Sequence, residues 1–287
     1  MVGILFLHLS GKRVRGVPKK HYVCGKIMTN TMPTKSTTLV LFNSLGLVAV
    51  LVTNYLANAL PIAGRTPAEV SDLFPTLFTP AGFTFGIWGL IYLLLLAFVV
   101  YQVRFWGKPT PVFMQKIGWL FALSCVANAA WLPAFHSLQI GLAMFIMLLL
   151  LGSLVLIYLR LDIGRAVVPR AERWLVHLPF SVYLGWITVA TIANASILLT
   201  HLGWNGEPGG AQFWTLLVMA AAVAIALWAT FGREDFAYAL VILWALFGIY
   251  SKRMADFGTV DGLVETAAVA GMGLVGIGVV YRAFRRK

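Results

Sequence analysis

Residues 175–202 read LVHLPFSVYLGWITVATIANASILLTHL, a run of 28 residues without Asp, Glu, Lys or Arg. A helix needs about 20 mostly apolar residues to cross the hydrocarbon core of a bilayer. The run is therefore predicted to be a membrane-spanning helix. It nevertheless contains Tyr183, Trp186 and Asn194, and polar groups surrounded by lipid require partners inside the protein.

The same apolar character extends along the chain. Of the 287 residues, 60% are hydrophobic and 11% are charged, and the mean hydropathy is +0.86, whereas soluble domains are about 25% charged. We therefore expect an all-α, polytopic transmembrane bundle of about eight helices. The apolar windows that predict them are 39–60, 82–103, 115–135, 138–161, 175–202, 213–231, 236–250 and 262–284.

The net charge of +12 reflects membrane topology and does not indicate nucleic-acid binding. Of the 22 Lys and Arg residues, 19 fall in the two terminal segments and in the loops after the second, fourth and sixth windows. Cytoplasmic loops carry such an excess of basic residues. We expect a multi-pass protein of the cell membrane with both termini cytoplasmic, the lipid bilayer as its surroundings and no nucleic-acid partner.

No motif for catalysis or metal binding is found in the sequence. H-E-x-x-H, paired C-x-x-C, phosphate-loop and G-x-S-x-G patterns are absent. His136, His177 and His201 lie at or near the ends of windows, where they are poorly placed for bis-histidine haem ligation. We expect neither catalytic residues nor a metal site, and no required cofactor.

Polar and aromatic side chains cluster on particular helix faces. At 100° per residue, Tyr183, Trp186, Ala190 and Asn194 share one side of the fifth window. The third window repeats this arrangement with Asn128 and Trp131, and the second with Phe85, Trp88 and Tyr92. Two interpretations remain open: these residues cross-link helices, or they line an aromatic pocket for a ligand.

Three blocks carry a resemblance to a known family: PAGFTFGIWGLIY (80–92), NAAWLPAF (128–135) and YLGWITVATIAN (183–194). They resemble the signature blocks of the tryptophan-rich sensory protein family, TspO/MBR, also called the translocator protein or peripheral benzodiazepine receptor family. The resemblance covers about residues 39–203. One departure is Asn54, which stands where the family usually has Trp.

The resemblance implies a five-helix core that binds flat hydrophobic molecules such as porphyrins or sterols, and a haem-like tetrapyrrole is a candidate ligand. We divide the chain into a basic extension expected to be disordered (1–37), a TspO-like core (38–203) and three additional helices (204–287). The predicted ligand-binding residues are the aromatic, amide and small residues of the shared faces: Phe85, Trp88, Tyr92, Asn128, Trp131, Tyr183, Trp186, Ala190 and Asn194.

Two other functional classes remain as alternatives. The additional helices could complete the translocation path of a small-molecule transporter, or the protein could act as an enzyme on its ligand. Catalysis is the less favoured, since only Tyr92, Tyr183 and Glu265 could act as acids or bases. Glycines at 271, 273, 276 and 278 would also permit close helix packing, either within the chain or in a homodimer.

Overall fold

The structure is a computed structural model that describes residues 36–59, 64–255 and 262–285. Most of the predicted N-terminal extension, residues 1–35, lies outside these ranges. No strand occurs in the described ranges, and the chain forms an all-helical bundle. Its α-helices are α1 (Thr37–Ala59), α2 (Pro67–Asp72), α3 (Ile87–Val103), α4 (Val112–Ile117), α5 (Leu120–His136), α6 (Ile140–Leu161), α7 (Arg170–Glu172), α8 (Leu178–His201), α9 (Gly210–Arg233), α10 (Phe236–Ala255) and α11 (Leu263–Arg285).

Seven of the described helical segments are long and apolar enough to cross a membrane. Two of them combine shorter elements. A 3₁₀ turn (Gly82–Gly86) leads into α3, and α7 continues through a π-helical turn (Arg173–His177) into α8. The eighth apolar helix, α5, has only 17 residues, which is slightly short for a span of about 20. The chain is thus a multi-pass membrane protein.

The third predicted window, 115–135, is not one continuous helix. It is broken at Gly118, whose φ of 53° and ψ of −132° lie outside the helical region and are accessible mainly to glycine. The break separates the short helix α4 from α5. Hydropathy alone missed it, because the flanking residues on both sides are apolar. The seventh window, 236–250, is in turn extended by five residues, since α10 continues to Ala255.

The C-terminal helices pack against α8 through close backbone approaches. Gly185 on α8 faces α10, where an added Cβ would lie 3.0 Å from Cβ of Val241. Two polar links lie along this contact: the Tyr238 hydroxyl donates to Oγ1 of Thr188 at 2.9 Å, and the Ser181 hydroxyl donates to Asp235, which directly precedes α10. Helix α10 is therefore fixed against the helix that carries the third signature block. The division of the chain at residue 203 remains a prediction.

The four glycines of α11 have different surroundings. Gly271 packs against Val223 and Leu246, and Gly278 packs against Leu227 and Phe231. Gly273 and Gly276 have nothing within 4 Å of an added Cβ. Half of the set therefore serves packing inside the chain, and the homodimer remains a prediction.

Candidate functional site: an aromatic groove and a polar chain

The predicted aromatic residues of α3 and α8 lie against one another. The rings of Trp88 and Tyr92 are stacked, with centroids 5.4 Å apart and an interplanar angle of 20°. Trp88 also makes edge contacts with Tyr183 at 6.1 Å and with Trp186 at 6.2 Å. Phe85, in the 3₁₀ turn, meets Trp186 at 5.9 Å. Ring pairs at such separations are favourable beyond the area that they bury.

A chain of hydrogen bonds joins α1, α5 and α8 in the interior. Nδ2 of Asn54 donates to Oδ1 of Asn128 at 3.1 Å, and Nδ2 of Asn128 donates to the Tyr183 hydroxyl at 2.8 Å. Asn128 is 1% exposed and Tyr183 is 2% exposed. Sequence reasoning noted Asn54 only as a departure from the family pattern and left it out of the site. Its amide inside an apolar window was the signal that could have identified it.

A second polar link lies farther along α8. Nε1 of Trp131 donates to Oδ1 of Asn194 at 3.1 Å, and Nδ2 of Asn194 donates to the carbonyl of Ala190 at 2.8 Å. Trp131 and Asn194 are each 5% exposed. Both predicted asparagines therefore face the interior, as the cost of burying an amide in lipid requires. Each already donates to an acceptor of the protein.

Two cavities adjoin these residues. The larger, which we call the aromatic groove, has a volume of about 650 Å³ and is bounded by α1, the segment around α2, the start of α3 and the end of α5. The smaller, the inner cavity, measures about 30 Å³, roughly the room for one water molecule. Phe85, Trp88 and Trp131 line both. These three side chains thus form the wall between the groove and the inner cavity.

The nine predicted residues take different positions around this wall. Tyr92 lines the groove and not the inner cavity, whereas Trp186, Ala190 and Asn194 line the inner cavity and not the groove. Asn128 and Tyr183 are absent from the lining of both cavities and belong to the buried polar chain. The groove also has walls that the sequence did not single out, chiefly Leu51, Asn54 and Tyr55 on α1 and Thr66, Pro67 and Ala68 beside them.

Trp186 presents a buried donor without an acceptor. Its side chain is 2% exposed, and its Nε1 has no hydrogen-bond partner among the described residues. Because Trp186 lines the inner cavity, an acceptor atom placed there could pair with this N–H. A buried donor left without a partner costs about 1–3 kcal/mol, so occupancy of the cavity by such an acceptor would be favourable.

The segment at the mouth of the groove is locally fixed. Thr66 and Glu69 form a capping box: the Thr66 N–H donates to Oε2 of Glu69 at 2.7 Å, and the Glu69 N–H donates to Oγ1 of Thr66 at 3.3 Å. The Thr66 hydroxyl also donates to Oε2 of Glu69, at 2.9 Å. The two bonds that the carboxylate accepts from Thr66, chiefly the one from the backbone N–H, lower the pKa of Glu69 below its usual value. At neutral pH the carboxylate therefore keeps the start of α2 in place.

Helix α10 holds the 3₁₀ turn that carries Phe85. The Ala81 N–H donates to the carbonyl of Gly248 at 3.0 Å, and Nε1 of Trp244 donates to the carbonyl of Thr84 at 3.0 Å. Lys252 pairs with Asp72 at the end of α2. The C-terminal helices thereby position one wall of the groove, although none of their residues lines it.

The chain matches a known protein family over most of its length. A family model described as TSPO-like protein matches residues 40–281. The chain belongs to the TSPO-like family. The resemblance found from the three sequence blocks is thus confirmed, and the matched region extends through α9 and α10 into α11. No curated protein and no solved structure gives a significant match.

Proposed function

We propose that this TSPO-like protein binds a flat hydrophobic small molecule, porphyrin-like or sterol-like, in the aromatic groove and acts as its membrane receptor or sensor. The observation that carries the proposal is the wall shared by Phe85, Trp88 and Trp131, with Tyr92 stacked beside it. A volume of about 650 Å³ suits such a ligand, because small-molecule sites commonly measure roughly 300–1,000 Å³.

The proposal assigns roles to the nine predicted residues by their positions. Trp88, Tyr92 and Trp131 stack on the faces of the ligand, and Phe85 closes one edge. Trp186 offers its indole N–H to an acceptor in the inner cavity behind this wall, and Ala190 leaves the room in which that acceptor sits. Asn128, Tyr183 and Asn194 hold the walls in register through their hydrogen bonds.

The charge distribution supports an external position for the groove. It lies near the end of α1 and the start of α3, whose connecting loop carries Arg65 and no other Lys or Arg. The basic segments flank the opposite ends of these helices. Under the positive-inside rule the groove therefore opens on the non-cytoplasmic side, with both termini in the cytoplasm.

A substitution that fills the groove provides the test. Gly89 lines the groove, and nothing lies within 4 Å of a Cβ added there, so Gly89→Leu should occupy ligand space without a clash. The purified protein is titrated with protoporphyrin IX, and quenching of tryptophan fluorescence is followed. We expect saturable quenching in the wild type and at least about tenfold weaker binding in the variant, the equivalent of about 1.4 kcal/mol.

Gly152→Leu is the matched control, because Gly152 is exposed on α6 and has nothing within 4 Å of an added Cβ. Both variants gain helix propensity, so neither should unfold the protein. Equal porphyrin affinity in both variants would contradict the proposal. Solute flux in proteoliposomes without saturable quenching would favour the transporter instead.

A further inference from the structure

A third cavity lies at the other end of α8. It has a volume of about 310 Å³ and is enclosed by the segment after α6, the first turns of α7 and α8, and the start of α10. We call it the arginine pocket and define it by Arg170, Arg173, Trp174, His177, Ser181 and Ala237. The aromatic groove does not share any of these residues, so the two sites are separate.

A π-helical turn contributes three of the residues that define the arginine pocket. The turn Arg173–His177 lies between α7 and α8, and such turns are frequent at functional sites. Arg170, Arg173, Trp174 and His177 follow one another at intervals of three, one and three residues and line the same cavity. The helix thus presents two guanidinium groups and an indole on one side of the pocket.

The two arginines are available to an anion. Both are exposed, and neither has a carboxylate within ion-pair distance among the described residues. The acidic residues of the pocket are already bonded. Glu234 pairs with Arg282 at 2.6 Å, and Asp235 accepts hydrogen bonds from the Ser181 hydroxyl and from the Tyr238 N–H.

Hydrogen bonds fix the part of the frame that lies beside the arginines. Nη1 of Arg233 donates to Oδ1 of Asp162 at 3.1 Å, and Nε of Arg165 donates to the carbonyl of Gly232 at 2.8 Å. These bonds tie the segment after α6 to the end of α9. A fixed frame reduces the ordering cost of binding.

We propose that the arginine pocket binds a phosphate-bearing anion, with Arg170 and Arg173 donating to the phosphate oxygens. Guanidinium groups match phosphate geometry through paired N–H donors. Trp174, with 63% of its surface exposed, is placed to contact the glycerol and upper acyl region of a lipid, as interfacial Trp residues do. A phospholipid headgroup and a soluble phosphate ester share this chemistry, and the experiment separates them.

The detergent-purified full-length protein is titrated with dioctanoyl phosphatidylglycerol, dioctanoyl phosphatidylcholine, glycerol 3-phosphate and inorganic phosphate, and its thermal unfolding midpoint is followed. We expect a saturable rise with a phosphate ligand, weakened about tenfold or more by Arg170→Gln combined with Arg173→Gln. A response to phosphatidylglycerol alone identifies a lipid site, whereas an equal response to glycerol 3-phosphate identifies a soluble ligand.

Two further variants make the test specific. Arg160→Gln combined with Lys108→Gln removes the same charge from exposed positions on the predicted cytoplasmic side, outside the pocket, and should leave the affinity unchanged. Ala237→Leu narrows the pocket and keeps both arginines, and it should weaken binding. The proposal would be overturned if the double variant of the pocket and the control double variant lost phosphate-ligand affinity equally. It would also be overturned if no ligand raised the unfolding midpoint of the wild type saturably. Protoporphyrin binding should be unchanged in all of them.

Discussion

Nε1 of Trp131 on α5 lies 3.1 Å from Oδ1 of Asn194 on α8, and both side chains are buried. The bond joins two residues that are 63 positions apart in sequence and belong to different signature blocks. It also explains why an amide is retained within an apolar span. The indole N–H gives the amide oxygen its hydrogen bond, and the amide in turn fixes the orientation of the indole within the wall of the groove.

The first prediction concerns this bond. Asn194→Ala should lower the free energy of unfolding in detergent by about 1 kcal/mol, since interhelical hydrogen bonds in membrane proteins contribute about 0.6 and at most about 1.7 kcal/mol. Ser196→Ala is the control, because its hydroxyl bonds only to the carbonyl of Ile192 on the same helix. A double-mutant cycle with Trp131→Phe should show coupling, and strictly additive effects would refute the link.

The second prediction concerns the chain of hydrogen bonds that links Asn54, Asn128 and Tyr183. Tyr183→Phe removes the hydroxyl that accepts from Nδ2 of Asn128, so that a buried amide N–H loses its acceptor. The thermal unfolding midpoint should therefore fall by several degrees. Tyr250→Phe, on α10, loses a hydroxyl outside this chain and should leave the midpoint within about one degree. Protoporphyrin affinity should fall only in Tyr183→Phe. A wild-type midpoint and a wild-type protoporphyrin affinity in Tyr183→Phe would argue against a role for these hydrogen bonds.

The third prediction tests whether α10 positions the groove. An added Cβ at Gly248 would lie 2.1 Å from Oγ1 and 2.8 Å from Cγ2 of Thr84. Gly248→Ala should therefore displace the 3₁₀ turn with Phe85, cost about 1–3 kcal/mol and weaken protoporphyrin binding. Gly276→Ala, which has nothing within 4 Å, should have the opposite effect on stability, because alanine is the better helix former. Equal stability and equal protoporphyrin affinity of the two variants would contradict the role of α10 in positioning the groove.

The fourth prediction concerns Arg233, which is 7% exposed. Its Nη1 donates to Asp162 and to the carbonyl of Ile163, and its guanidinium lies 5.2 Å from the ring centroids of Tyr158 and Trp228. Arg233→Lys keeps the charge but loses the planar guanidinium that contacts both rings and bonds to Asp162 and Ile163. It should destabilise the protein by about 1–2 kcal/mol in a chemical-denaturation series. Arg285→Lys at the end of α11 serves as the exposed comparison and should remain near wild type.

The positions of the long helices and of their inward faces could be predicted from the sequence. A spanning helix needs a long apolar stretch, so hydropathy located the eight long described helices to within about five residues, and helical periodicity placed Asn128 and Asn194 on inward faces. The break at Gly118 escaped prediction, because a glycine inside an apolar run is compatible with both a continuous helix and a stop. Only the surrounding packing selects the backbone geometry found there.

The sequence by itself determined the membrane class, the family and the faces that turn inward, because lipid penalises every unpaired polar group wherever it occurs along a helix. The tertiary structure decided which groups meet: Asn54 with Asn128, Trp131 with Asn194, and Thr84 with Gly248. These pairings depend on the relative rotation and depth of whole helices. Those are set by the summed packing of many side chains, which no single segment encodes.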